Sequence, residues 1–204
     1  MLERRLPLAQ LTCSGNLQPG DDAALRLTEI TDRGLLLLQA RADDRALQHA
    51  LQRHLGLAIP APLAVDLRDD LAILWLAPKE WLIELPLAQT DSARTTLEHA
   101  LASNPTGAAS PTSGASLTAV TEMSDALAGF DLEGTGAAER LASGCSLDTT
   151  PQALSLGRVA RTVLADVPVI LRRINASPPD RFRLWVDRSF AEHLWGWLAG
   201  GAGG

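Results

Sequence analysis

The chain has 204 residues, of which 46% are hydrophobic and 21% charged, with a formal net charge of -6; this is the balance of a globular protein with room for a sizeable core, not of a disordered one. An acidic chain with 4% aromatics lacks the basic field that phosphate backbones require, and its longest apolar run, Leu71 to Pro78, falls far short of the ~20 residues that span a bilayer, so nucleic acid and membrane are excluded as partners. The charged N-terminus is followed by no apolar stretch of about 7–15 residues, and two cysteines, Cys13 and Cys145, cannot supply a four-ligand zinc site, so the chain reads as cytoplasmic with reduced thiols.

Residues 1–22 are weakly patterned, with Pro7, Gly15, Pro19 and Gly20, and are expected to form an extended arm. Ala24 to Thr31 alternates apolar and polar residues and predicts a strand. Asp32-Arg33-Gly34 predicts a turn, and Gly34 to Arg41, with four leucines, a buried strand. Asp43 or Asp44 can cap a helix carrying Leu47, Leu51 and Leu55, with Gly56 at its C-terminus, where positive φ is wanted. Leu63 to Leu67, Leu71 to Leu76 and Glu80 to Leu85 predict three strands, the last two joined by Ala77-Pro78-Lys79. Asp91 to Ala102 predicts a second helix with Ala93, Leu97 and Leu101 on one face. Asn104 to Ser116 is nearly all Pro, Gly, Ala, Ser and Thr and predicts a flexible linker.

Beyond the linker the order repeats. Leu117 to Met123 and Leu127 to Leu132 predict strands. Thr135 is the expected cap of a short helix ending at Gly144. Val159 to Leu164 and Val167 to Ile174 predict a strand pair around Ala165-Asp166, and Arg181 to Val186 another strand. Ser189 and Glu192 have the spacing of a capping box for the last helix. Residues 200–204 are expected to fray. The fold class is α+β: duplicated β-β-α-β-β-β-α halves, 1–103 and 117–199, forming one compact domain overall.

Catalytic constellations are missing from the pattern. His49, His54, His99 and His193 read as solvated helix histidines, and no H-E-x-x-H, G-x-S-x-G or Walker loop occurs. Gly134-Thr135-Gly136 has the start of a dinucleotide fingerprint, but Glu139 stands where the third glycine is needed, which leaves a strand–turn–helix corner. Cys145 has no basic neighbour in sequence and reads as a small buried hydrophobe, with a nucleophilic role as the less favoured alternative.

Two features point to a partner. Residues 158–188 hold seven arginines against three acids, a local net of +4. They are either solvent-facing strand positions or a patch pairing with carboxylates on a partner, which the planar guanidinium suits. On the last helix, Phe190, Leu194, Trp197 and Leu198 define one face. Trp195 falls about 100° from its centre, so it is half-buried or an interface anchor. The candidate interface residues are Lys79 (the only lysine), Trp81, Arg172, Arg173 and Trp195. No catalytic, cofactor or metal residue is expected.

The segment Trp75-Leu76-Ala77-Pro78-Lys79-Glu80-Trp81-Leu82 resembles the W-L-x-P-x-E-W-L signature of the gamma subunits of heterotetrameric sarcosine oxidases. Ser124-Asp125-Ala126-Leu127, Leu132-Glu133-Gly134 with Ala138, Leu141, Ala142, Gly144-Cys145 and Leu147-Asp148, and Phe182-Arg183-Leu184-Trp185-Val186 with Arg188-Ser189-Phe190-Ala191 are similar to the same family in the same order. The resemblance covers about residues 24–199. It implies a fold like the folate-binding domain of the glycine-cleavage aminomethyltransferase, whose halves exchange their first strands. It also implies a non-catalytic role beside alpha, beta and delta subunits. In such complexes FAD, FMN, NAD and tetrahydrofolate belong to the alpha and beta subunits and zinc to the delta subunit, and sarcosine becomes glycine, hydrogen peroxide and 5,10-methylenetetrahydrofolate. The alternative is a stand-alone folate-binding aminomethyltransferase-like protein in which the 158–188 arginines, Arg172 and Arg173 among them, clamp the glutamate tail of folate.

Overall fold

The structure, a computed structural model, describes residues 8, 25–40, 45–102, 118–175 and 178–200. The arm at 1–22 (Leu8 apart), the Asp43 or Asp44 cap, the linker at 104–116, Cys13 and the tail beyond Gly200 lie outside the described residues. The elements are β1 (Arg26–Ile30), β2 (Arg33–Ala40), α1 (Arg45–His54), β3 (Val65–Arg68), β4 (Leu71–Ala77), β5 (Glu80–Pro86), α2 (Thr90–Ala102), β6 (Thr118–Glu122), β7 (Leu127–Glu133), α3 (Ala137–Ala142), β8 (Val159–Leu164), β9 (Val167–Arg173), β10 (Arg181–Asp187) and α4 (Ala191–Leu198). The order β-β-α-β-β-β-α thus runs twice along the chain. No described helix is long and apolar enough to cross a membrane.

Two five-stranded antiparallel sheets result, ordered β3-β4-β5-β2-β6 and β1-β7-β10-β9-β8. The chain divides into two compact units, Asp32–Ser124 and Met1–Thr31 with Asp125–Gly204. Units and chain halves differ by one strand each. β1 pairs with β7 from Arg26↔Glu133 to Ile30↔Gly129, and β6 pairs with β2 from Leu36↔Glu122 to Ala40↔Thr118.

In the 32–124 unit, Leu36, Leu38, Ile73, Trp81, Ile83 and Leu85 line the sheet face that packs on Leu47 and Leu51 of α1 and Leu97 of α2. Leu35, Leu74 and Leu82 alternate to the other face and are buried too. Burial on both faces explains why the central parts of β2, β4 and β5 read as continuous apolar runs, since few of their positions face water. Each fully buried leucine contributes about 2 kcal/mol by removing apolar surface from water. α1 ends as its sequence requires, with Gly56 at φ +67, which only glycine adopts without strain. Gly34 answers a different need: a Cβ there would lie 1.8 Å from Thr90 Oγ1.

In the other unit, Leu27, Phe130, Leu132, Leu171, Phe182 and Leu184 face Ala137 and Leu141 of α3 and Leu194, Trp195 and Leu198 of α4. Ala165 and Asp166 both have positive φ, at 49° and 67°, so the β8–β9 hairpin turns in the type I′ manner that matches strand twist.

Three local expectations are corrected. Gly136, not Thr135, is the N-cap of α3, and it makes no side-chain bond. The Ser189–Glu192 capping box does not form. Instead Asp187 caps the turn leading into α4, with Ser189 N donating to its Oδ1 at 2.9 Å and Ser189 Oγ at 2.6 Å. Phe190 precedes the helix at φ -101 and is exposed, while Trp195 turns inward and meets Phe130 edge to face at 5.6 Å. Residue 190 ends a 3-10 turn, Arg188–Phe190, and is not part of the α-helix, so the wheel that placed it on the buried face starts one residue too early. Gly200, at φ +82, closes α4 by donating from its N to Trp197 O at 3.1 Å.

Candidate partner interface

The five residues singled out from sequence fall on both units. Lys79 sits exposed in the β4–β5 turn at φ +64. Trp81, Arg172, Arg173 and Trp195 are all buried within the chain. Trp81 stands opposite Trp75 in the β4–β5 register and belongs to the core beneath α1 and α2. Arg172 and Arg173 are neighbours on β9 and therefore point to opposite faces of the sheet. Arg173 is held from inside: its Nε donates to Leu154 O at 3.2 Å, its Nη2 to Thr149 O at 3.0 Å and its Nη1 to Asp180, while its guanidinium stacks over Phe182 at 4.6 Å. Each of its three nitrogens is engaged within the chain, and the side chain is buried.

Three arginines of the basic stretch, Arg173, Arg181 and Arg183, are ion-paired within their own unit. On the sheet face opposite the helices, Asp131 of β7 stands across from Arg183 of β10. Arg183 Nε and Nη2 donate to Asp131 Oδ1 and Oδ2, both at 2.8 Å, and Arg181 Nη2 donates to Oδ2 at 2.8 Å. Burial pushes the Asp131 carboxyl up, but the Arg183 and Arg181 guanidinium groups outweigh it and hold the group below the usual carboxylate range. The sequence offered a signal for this cluster only in the register, because Asp131 lies far from the arginines along the chain.

The same face changes character toward the other end of the strands. Leu127, Trp185, Ile170, Pro168 and Val163 line a hollow of about 380 Å³, with Arg161 and Asp187 also on its wall. Val163 is 52% exposed, the highest among the large apolar residues at the surface within the described residues, while Trp185 is 2% exposed. Trp185 rests on Gly129, its cross-strand neighbour. A Cβ on Gly129 would come within 2.2 Å of Trp185 Cζ3, so only glycine admits the indole there. Nε1 lies at the opposite corner of the ring from Cζ3, and it has no hydrogen-bond partner among the described residues. Sequence reasoning missed this hollow. Its one local signal is the alternation in β8, where Arg161 and Val163 share one face and Ala160, Thr162 and Leu164 the other.

The remaining candidates are quiet. All four histidines are exposed on helices, and His193 Nε2 lies 2.9 Å from Ala165 O. Cys145 is buried, with Thr162 Oγ1 3.4 Å from its sulfur.

The model of the sarcosine oxidase gamma subunit family matches residues 39–203. The chain belongs to that family. A sarcosine oxidase subunit gamma from Corynebacterium sp. (strain U-96) is 28% identical over 201 residues, covering 96% of this chain and 88% of the relative. A chain of the heterotetrameric sarcosine oxidase from Corynebacterium sp. U-96, solved with pyrrole 2-carboxylate, superposes with a TM-score of 0.75 at 26% identity and covers 98% of both chains. The glycine cleavage system aminomethyltransferase T from Bartonella henselae shares the fold, with a TM-score of 0.60 at 16% identity over 86% of this chain and 45% of its own.

In this gamma-family chain the stretches that carry the resemblance all do packing work. Trp75 to Leu82 is the β4–β5 hairpin. Ser124 Oγ accepts from Leu35 N at 3.0 Å and ties the end of β6 to β2. Gly144 lies under Trp197, where a Cβ would come within 2.4 Å of the indole. Phe182 to Val186 is the central part of β10, whose Phe182 and Leu184 fill the core and whose Trp185 floors the hollow.

Proposed function

We propose that this chain is the non-catalytic gamma subunit of a heterotetrameric sarcosine oxidase and supports the assembly of the complex with alpha, beta and delta subunits. The observation that carries the reading is the likeness, along 98% of both chains, to a chain of a heterotetrameric sarcosine oxidase. The partner subunits hold FAD, FMN, NAD and tetrahydrofolate, and zinc sits on the delta subunit. The complex demethylates sarcosine to glycine, hydrogen peroxide and 5,10-methylenetetrahydrofolate. The two halves of the chain derive from one duplicated β-β-α-β-β-β-α unit with exchanged first strands, a reading supported by the matching sheet orders. Of the five interface candidates, exposed Lys79 touches a partner directly. Trp81, Arg172, Arg173 and Trp195 act from behind, holding the strands and helix that present the surface.

The test is sarcosine-dependent hydrogen peroxide formation by the alpha, beta and delta subunits expressed with and without this chain. The expected outcome is that a stable, active complex is recovered only with it. Full activity and normal yield of the other three without it would refute the proposal.

A further inference from the structure

The connection from α3 to β8 runs from residue 143 to 158 with no α-helix or strand of its own. Loops longer than about 12–15 residues are uncommon in compact units, because their main-chain groups have no ladder to pair with. This one is tied down from β9. Arg173 Nε donates to Leu154 O at 3.2 Å and Nη2 to Thr149 O at 3.0 Å, so one guanidinium meets two carbonyls of the loop. Nη1 pairs with Asp180 in the β9–β10 connection, and the guanidinium lies over the Phe182 ring. At the ties, Thr149 and Leu154 are buried. Between the ties Pro151, Gln152 and Ala153 are exposed, and beyond them so are Leu156 and Arg158. A buried ion pair is weak evidence of stabilisation, because both charges give up water. What the guanidinium supplies is direction: a fixed fork of donors that reaches three acceptors at once.

We propose that Arg173 is the latch of a conformational device. The 143–158 loop opens and closes against β9 and β10 as one unit, independently of the sheet, and the guanidinium sets how often it opens. On opening, Thr149 O and Leu154 O take their hydrogen bonds from water. The strands keep theirs, because β7, β10, β9 and β8 pair with one another through main-chain groups outside the loop. Closed, the latch holds Leu156 and Arg158 in one place on the surface. Open, it leaves both without a fixed position. Segments that move are drawn from such low-stability units.

The experiment is native-state hydrogen exchange on the full-length chain in low urea, comparing wild type, Arg173→Met and Gly129→Ala. Two loop amides report the latch: Leu154 N, bonded to Thr150 O, and Arg158 N, bonded to Ser155 O. In wild type they are expected to exchange through an opening nearly independent of urea, while the β7 and β10 amides exchange through one that urea promotes. Arg173→Met leaves two carbonyls and a carboxylate without their donor and raises exchange of the loop amides about tenfold or more. Gly129→Ala strains the sheet instead, and speeds the β7 and β10 amides about tenfold while leaving the loop amides within about twofold. Loop and strand amides with the same urea dependence in wild type would overturn the proposal without any variant. So would loop exchange that rises with strand exchange in Gly129→Ala, or that Arg173→Met leaves unchanged.

Discussion

Asp131 shows how a charge-rich stretch can be turned inward. Its carboxylate is shared by Arg183 and Arg181 and titrates below its unfolded value, so its contribution to stability is complete above that value, about 3.9, and is lost as pH falls through the lower folded value. Asp131→Ala leaves Arg183 without its partner and is expected to cost about 3 kcal/mol near neutral pH in urea unfolding, with less dependence on acid pH than wild type. Arg181, at 43% side-chain exposure, is the minor partner, and Arg181→Ala costs less. Glycines separate by what surrounds them. Gly129→Ala drives a methyl into Trp185 and is expected to cost about 1–3 kcal/mol. Gly196→Ala in α4 has open space around it and gains about 0.5–1 kcal/mol from helix propensity. Thermal unfolding of the two variants, one lowered and one raised, checks both.

At the scale of elements, the replacement of the expected capping box by Asp187 has a direct consequence. Asp187→Ala is expected to lower stability by about 1 kcal/mol and Glu192→Ala to leave it unchanged within error, whereas a capping box would make both costly. The I′ turn offers a gain: Asn at 165 with Gly at 166 relieves two positive-φ positions and raises the melting temperature. The strands and helices were legible because apolar residues recur at their periods and turns carry Gly, Pro or Asp. The pairing of β1 with β7 and of β6 with β2 was not legible in local pattern, since neither strand says which edge it joins; only the family resemblance pointed to it. The interface candidates were chosen on residue type, which carries no information on burial, and four of the five are buried within the chain. A tally of charges along residues 158–188 is blind to Asp131, which meets Arg183 and Arg181 from β7. A helical wheel drawn from Phe190 is blind to a helix that starts at Ala191.

At the scale of the whole molecule, each unit spends its chemistry on its own fold. The tryptophans brace hairpins and helix ends, and Arg173, Arg181 and Arg183 are tied to carboxylates and carbonyls of the same unit. Among the described residues, the surface also carries a strand edge at β8, a hollow beside it and the exposed Lys79 turn. The central claim is tested most directly by native mass spectrometry of this chain co-expressed with alpha, beta and delta subunits. The account predicts one assembly containing a single copy of each of the four chains, from which this chain does not exchange on dilution. A monomeric chain beside a complete assembly of the other three would contradict it.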